Sequence, residues 1–233
     1  MKPLNDWPLL DRWFPQRATW SRPRYAAWLL SMFVILGALP YLAVNRWNAW
    51  RGVSTLDVSI PLDETLPFVP WLVVPYISFY AYFPIAAWVG ANADHRAQGL
   101  VFFQRMLVLT WVGLAAYLLL PLEITLRSQA TGAEGVIGWM MDELHGADAP
   151  YNAWPSLHVL QSLLTLLFVR WSFKQHERWN GPLAAAAWIA CILLCLSTVL
   201  IKQHFIFDAV ISCVMVGVAW PRWIAPALNQ TAH

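Results

Sequence analysis

An all-α, six-transmembrane helical bundle is the fold this sequence predicts, and three observations predict it. The 233 residues are 59% hydrophobic and 12% charged, against about 25% charged in an ordinary soluble domain. Mean hydropathy is +0.49. Six apolar stretches approach the roughly 20 residues that a helix needs to cross a bilayer. Seven of the 16 tryptophans fall near the ends of those stretches, where an interfacial belt belongs, and the 15 Lys and Arg residues divide unevenly between the two sides.

Taken in order, residues 1–24 precede the first apolar run and carry Lys2, Arg12, Arg17, Arg22 and Arg24. No small-residue cleavage site follows, so this is a cytoplasmic segment rather than a signal peptide. Its "LNDWPLLDRWF" alternates Trp and Leu with charge and suits the membrane surface. The spans follow at 25–44, 66–89, 100–121, 156–172, 183–201 and 205–220, inside one catalytic domain over 25–220. A tail over 221–233 completes the chain. Pro40, Pro70, Pro75 and Pro84 kink or interrupt the first two spans, as a bundle tolerates when neighbours satisfy the freed backbone. Arg105, near the start of the third, is placed to snorkel to the interface. No internal repeat is visible.

The basic residues set the orientation. With the N-terminus inside, Lys2, Arg12, Arg17, Arg22, Arg24, Arg96, Arg105, Arg170, Lys174, Arg178 and Arg222 lie inside, and only Arg46, Arg51, Arg127 and Lys202 outside. Both termini are therefore expected in the cytoplasm. Trp20, Trp47, Trp71, Trp88, Trp154, Trp171 and Trp220 fall near the helix ends. The net charge of +2 suggests no nucleic-acid partner. Cys191, Cys195 and Cys213 all lie in apolar runs and read as packing residues, not as a disulfide framework.

Two stretches carry chemistry. "YNAWPSLHVL" (151–160) places Pro155, Ser156 and His158 at the start of the fourth span. "STVLIKQHFIFDAV" (197–210) places Lys202, His204 and Asp208 between the last two. In the topology above both lie at the outer face. Asp208 follows His204 by four residues, so the two share a helical face. There a carboxylate fixes the tautomer of an imidazole and stabilises its cation. An aspartate inside an apolar span is a functional candidate by default. Ser156 and the amides of Leu157 and His158 form a helix first turn, whose unpaired N–H groups bind anions.

"PSLH" is separated by 38 residues from a serine that opens S-x6-H-x3-D (Ser197, His204, Asp208). This pairing resembles the type-2 phosphatidic acid phosphatase family of lipid phosphate phosphatases and phosphotransferases, over roughly residues 60–220. It looks most like the branch that includes inositol phosphorylceramide synthases, where threonine follows the serine and a lysine precedes the histidine. The resemblance implies a core fold shared with vanadium haloperoxidases. It makes His204 the nucleophile that takes the phosphoryl group, Asp208 its orienting partner, and His158 the acid and base. Ser156, Leu157, Ser197, Thr198, Arg127 and Lys202 would bind phosphate, with no metal and no cofactor.

Two departures from the phosphatase pattern matter. Thr198 stands where arginine usually follows the serine. Leu120 stands seven residues before Arg127, where a lysine is usual. Lys202 and Arg127 are the expected substitutes, both lining a phosphate-sized pocket between His158 and His204. On that reading Lys202→Ala costs activity severely. Asp57, Asp63, Glu64, Glu123, Glu134, Asp142, Glu143 and Asp148 read mostly as solvated loop charges, and His145 as a surface histidine. His95, His176 and His233 belong to the opposite face. The function expected is hydrolysis of a lipid-linked phosphomonoester or pyrophosphate at the outer membrane face, with membrane lipids as surroundings. The alternatives are transfer of a phosphoryl or phospho-headgroup to a lipid alcohol, a proton-relay transporter using the same three groups, and an inactive scaffold.

Overall fold

The computed structural model describes residues 7–230, and among them the protein is helical, with no strand beyond a single bridge between Leu122 and Asn152. A short helix α1 (Pro8–Trp13) precedes α2 (Arg22–Arg51). A five-residue helix α3 (Pro61–Thr65) leads to α4 (Pro70–Gly90) and α5 (Ala93–Leu119). Next come α6 (Gly135–Ala147) and α7 (Leu157–Gln175). The last two are α8 (Gly181–Leu200) and α9 (Ile206–Gln230). Lys2 and His233 lie outside the described residues.

Five helices, α2, α4, α5, α8 and α9, are long and apolar enough to cross a membrane. They turn large apolar side chains outward: Ile189, Ile192 and Leu196 on α8, and Val210 and Val214 on α9, are each half or more exposed. Such a surface suits lipid and not water. Helix α7, the expected fourth span, has 19 residues but less apolar character, because Gln161, Ser162, Thr165 and Ser172 interrupt it. Twelve of those residues are buried. α7 packs on α4, α5, α8 and α9, so its neighbours are protein; Gln161 finds a partner there in Thr110, while the Ser162 and Thr165 hydroxyls are buried without one.

The observed boundaries differ from the expected ones where interfacial residues extend a helix. α2 runs seven residues past 44 because Asn45 and Asn48 on its last turns are fully buried and bonded. α9 continues through a π-helical turn, Trp220–Ile224, to Gln230. Part of the expected tail is therefore helix, with Ile224, Ala227 and Leu228 buried. α5 begins earlier than expected, which puts Arg105 about 18 Å along it. Its guanidinium lies over the Trp223 ring at 4.3 Å, rather than at the helix start.

The core lies where α2, α4, α5 and α7 cross. Phe102 and Phe168 stack at 4.2 Å, and Phe33 stacks on Phe83 at 4.5 Å. Gly90 and Gly99 let α4 and α5 touch backbone to backbone, since a Cβ on Gly99 would overlap the Gly90 carbonyl.

Contacts between helix ends establish two ends of the bundle. At one, Tyr25 donates to the Arg96 carbonyl, Arg22 to that of Trp88, and Trp171 to Asn229. His95 and His176 meet there at 2.9 Å. At the other, Asn48 donates to the Tyr117 carbonyl, Val69 N–H to that of Leu200, and Ile124 N–H to that of Pro150. Both chemistry-bearing stretches lie at this second end. Of the belt tryptophans, Trp47, Trp71 and Trp88 are exposed at helix ends, whereas Trp171 is buried.

Candidate active site

Helix α7 starts at Leu157 because Ser156 is its N-cap, with its Oγ accepting the Val159 N–H at 3.4 Å. The Ser156 backbone is fixed to α9: Ser212 Oγ donates to the Ser156 carbonyl at 2.9 Å, and the Ser156 amide reaches the Asp208 carbonyl at 3.4 Å. The Tyr117 hydroxyl donates to the Pro155 carbonyl at 2.6 Å.

α8 ends in a Schellman turn. Lys202 N–H donates to the Val199 carbonyl and Gln203 N–H to that of Thr198, the two bonds that define the motif. Lys202 occupies the left-handed position of that turn at φ 60, where glycine is the usual residue. The turn aims His204 back at α7, and α9 begins at Ile206. Asp208 caps that helix, its Oδ2 accepting the Phe205 N–H at 2.9 Å.

Asp208 Oδ2 also lies 3.3 Å from His204 Nδ1. A carboxylate oxygen only accepts, so Nδ1 carries the proton and Nε2 keeps its lone pair. That Nε2 lies 3.5 Å from His158 Nδ1. His158 Nδ1 is also 3.4 Å from the Tyr76 hydroxyl, and its ring is wedged between those of Tyr76 and Phe79, at 4.4 and 4.3 Å. The three residues read from the sequence therefore meet, but the two imidazoles are in contact. The phosphate-wide gap expected between them is closed, because the aromatic pair presses His158 toward His204.

The phosphate-binding set is only partly assembled. Ser197 Oγ donates to the Leu194 carbonyl at 2.6 Å, and Thr198 Oγ1 to that of Cys195 at 2.7 Å. Both bond back to their own helix. Lys202, 1% exposed, gives its Nζ to the carbonyls of Asp63 and Leu66, each at 2.8 Å. Burial pushes its pKa down, against the pull of Asp63 and Glu64. Arg127 donates to the Asp148 carbonyl at 2.6 Å, and its Nε is buried without a partner.

Sequence reasoning missed two acids. Asp63 is 1% exposed and ties loop to helix: Oδ2 accepts the Ile60 N–H and Oδ1 the Ile206 N–H at the start of α9. Asp148 is half-buried and accepts the Tyr41 hydroxyl at 2.7 Å. Burial raises its pKa, opposed by that hydrogen bond and by the charges of Arg127, His204 and Arg46. Of the other expected surface acids, Asp57, Glu64, Glu134, Asp142 and Glu143 are exposed and Glu123 is half-buried. His145 is half-buried, 2.8 Å from the Gln203 amide nitrogen, with its pKa pushed down by burial and by Arg127. One signal was available for Asp63: an acid two residues after the helix-starting Pro61 is a capping position. Nothing local marks Asp148, whose partners are about 20 and about 100 residues away in the chain.

A family model described as the PAP2 superfamily matches residues 42–221. That span takes in the end of α2, the Ser156, His158, His204 and Asp208 positions and the first part of α9, through Pro221. No curated protein and no solved structure matches the chain.

Proposed function

The chain belongs to the PAP2 superfamily, and from that premise we propose that it is an integral membrane lipid phosphate phosphatase. It would hydrolyse a lipid-linked phosphomonoester or pyrophosphate through a phosphohistidine on His204. The observation that carries the reading is the contact chain Asp208–His204–His158, at 3.3 and 3.5 Å, built from segments 46 residues apart. His204 Nε2, unprotonated because Asp208 holds the proton on Nδ1, attacks phosphorus as the bond to the ester oxygen breaks. His158 gives that oxygen a proton. It then takes a proton from water, whose oxygen attacks the phosphohistidine and releases phosphate and free His204. For phosphorus to approach Nε2, the His158 ring must swing from its present contact.

Charge on the transferring group would be met by the Ser156 turn at the start of α7 and by Arg127. The excess of cations at the opposite end supports an orientation with both termini in the cytoplasm and the site outside. The domain limits follow the same reading, with residues 25–220 as the catalytic unit.

A second reading, phosphotransfer to a lipid alcohol, is favoured by the engagements of Thr198 and Lys202. With neither offering a free cation, a phosphodiester, one charge poorer than a monoester dianion, suits the site better. Thr198 and Lys202 are also the pattern that suggested the synthase-like branch.

The test uses purified chain and a lipid phosphate labelled on phosphorus, with and without added diacylglycerol or ceramide. Acid-labile, base-stable label on the protein, absent in His204→Ala, is expected, with free phosphate released without acceptor. Label that moves only onto an added alcohol selects transfer. Turnover by His204→Ala overturns both.

A further inference from the structure

A cavity of about 550 Å³ opens beside His158, on the side away from His204. Its walls come from α2 and α4, through Phe33, Ala38, Phe79 and Phe83, and its polar end is formed by Tyr41, Asp148 and His158. Val34, Leu42 and Tyr80 on its rim are 40%, 45% and 60% exposed, so it opens sideways between two helices apolar enough to span a bilayer. Part of this wall is the π-helical turn Val34–Ala38, upstream of the matched residues 42–221. The α2 side of the wall thus comes mostly from this chain's first span, upstream of the matched region, whereas the α4 side lies within it. π-turns inside helices are frequent at functional positions. Here the turn is pinned from outside, the Trp111 indole donating to the Leu36 carbonyl at 2.6 Å.

The polar end faces the reacting groups. His158 Nδ1 is taken up by His204 and Tyr76, while Nε2 makes no hydrogen bond among the described residues. Gln161, one turn further along the same face of α7, also lines the cavity and donates to Thr110 at 2.8 Å. An apolar slot that ends in an acid–base imidazole and two hydrogen-bonding side chains is built for an amphiphile with its oxygen at the imidazole.

We infer that this cavity is the subsite for the hydrocarbon chain of the substrate's leaving alcohol, entering from the membrane between α2 and α4 with its ester oxygen presented to His158. The inference rests on the lipid phosphate reading and adds where the chain goes. A larger apolar groove between α8 and α9, about 770 Å³ and lined by Leu196, Val210 and Val214, reaches neither histidine, and its only polar side chains are the weakly hydrogen-bonding thiols of Cys195 and Cys213. The cavity at His158 is therefore assigned as the subsite and the groove as ordinary lipid-facing surface.

The experiment uses the full chain in lipid nanodiscs and hexadecyl phosphate bearing a terminal diazirine. Photolysis should label the peptides around Leu30–Ala38 and Phe79–Pro84, and a tenfold excess of plain hexadecyl phosphate should cut that labelling about tenfold by mass action. Label confined to Leu196–Val214, or spread over the lipid-facing helices without competition, overturns the inference. Competed labelling of the cavity in a chain that turns over no phosphate ester leaves the subsite standing and sinks the phosphatase reading. Turnover with label elsewhere does the reverse.

Discussion

Replacing Lys202 tests whether its amine supports the turn or the phosphate. The amine makes two hydrogen bonds at 2.8 Å, to the Asp63 and Leu66 carbonyls. A charged hydrogen bond contributes about 1.5–3 kcal/mol, and the cost of burying the ammonium offsets part of the pair. Lys202→Ala should therefore lose about 2–4 kcal/mol. At about 2–4 °C per kcal/mol for a chain of this size, the melting temperature should fall by roughly 5–15 °C. Lys202→Gly removes the same bonds but suits the left-handed backbone at φ 60, which recovers about 1 kcal/mol. Glycine should thus melt about 2–4 °C above alanine. The assay is thermal unfolding of both variants in one detergent at one scan rate, with activity measured well below either transition. In that range the folded fraction should keep most of its turnover, since the amine does not touch His158 or His204. Glycine melting at or below alanine would refute the turn argument. Near-zero turnover in fully folded protein would restore Lys202 as a phosphate ligand.

The remaining expectations are briefer. Asp208→Asn, which removes the carboxylate charge that stabilises the His204 cation and lets an amide N–H compete at Nδ1, should lower turnover by about 10²–10⁴-fold; a variant within threefold of wild type, by roughly the scatter of such effects, would remove Asp208 from the mechanism. Gly99→Ala should destabilise by about 1–3 kcal/mol, because its Cβ meets backbone that cannot yield. Gly146→Ala, with open space at its Cβ, should gain about 0.5–1 kcal/mol, and melting curves that fail to separate the two would contradict the packing. Asp148 titrates above its unfolded value near 3.9, so the stability it lends is complete below that pH and is lost as pH rises through the folded pKa. Asp148→Asn keeps the acceptor for Tyr41 and should flatten that fall, leaving a melting temperature at neutral pH no lower than wild type. His145 has its pKa depressed, so its contribution is present above about 6.5 and lost as pH falls through the folded value. Hydrogen exchange in Gly135–Ala147, corrected for intrinsic rates, should quicken on acidification, and unchanged protection would count against the Gln203 contact.

The sequence by itself determined the helices and the chemistry-bearing triad. Apolar runs near 20 residues leave the backbone no choice but helix in a bilayer. His204 and Asp208 share a helical face by spacing alone, and Ser156 caps a helix because a hydroxyl before an apolar run does so locally. Only the tertiary structure decided what depends on partners distant in the chain. Lys202 was legible as a cation but not as a cation spent on carbonyls of residues 63 and 66. Asp63 and Asp148 looked like loop charges because nothing near them in sequence shows that Ile206 and Tyr41 will meet them. The fourth span was legible as a helix but not as the buried centre of the bundle, since only packing shows that Gln161 meets Thr110 and that Ser162 and Thr165 are enclosed by protein. The width between His158 and His204 was likewise beyond the sequence. It is set by Tyr76 and Phe79 on α4, whose rings hold one imidazole against the other.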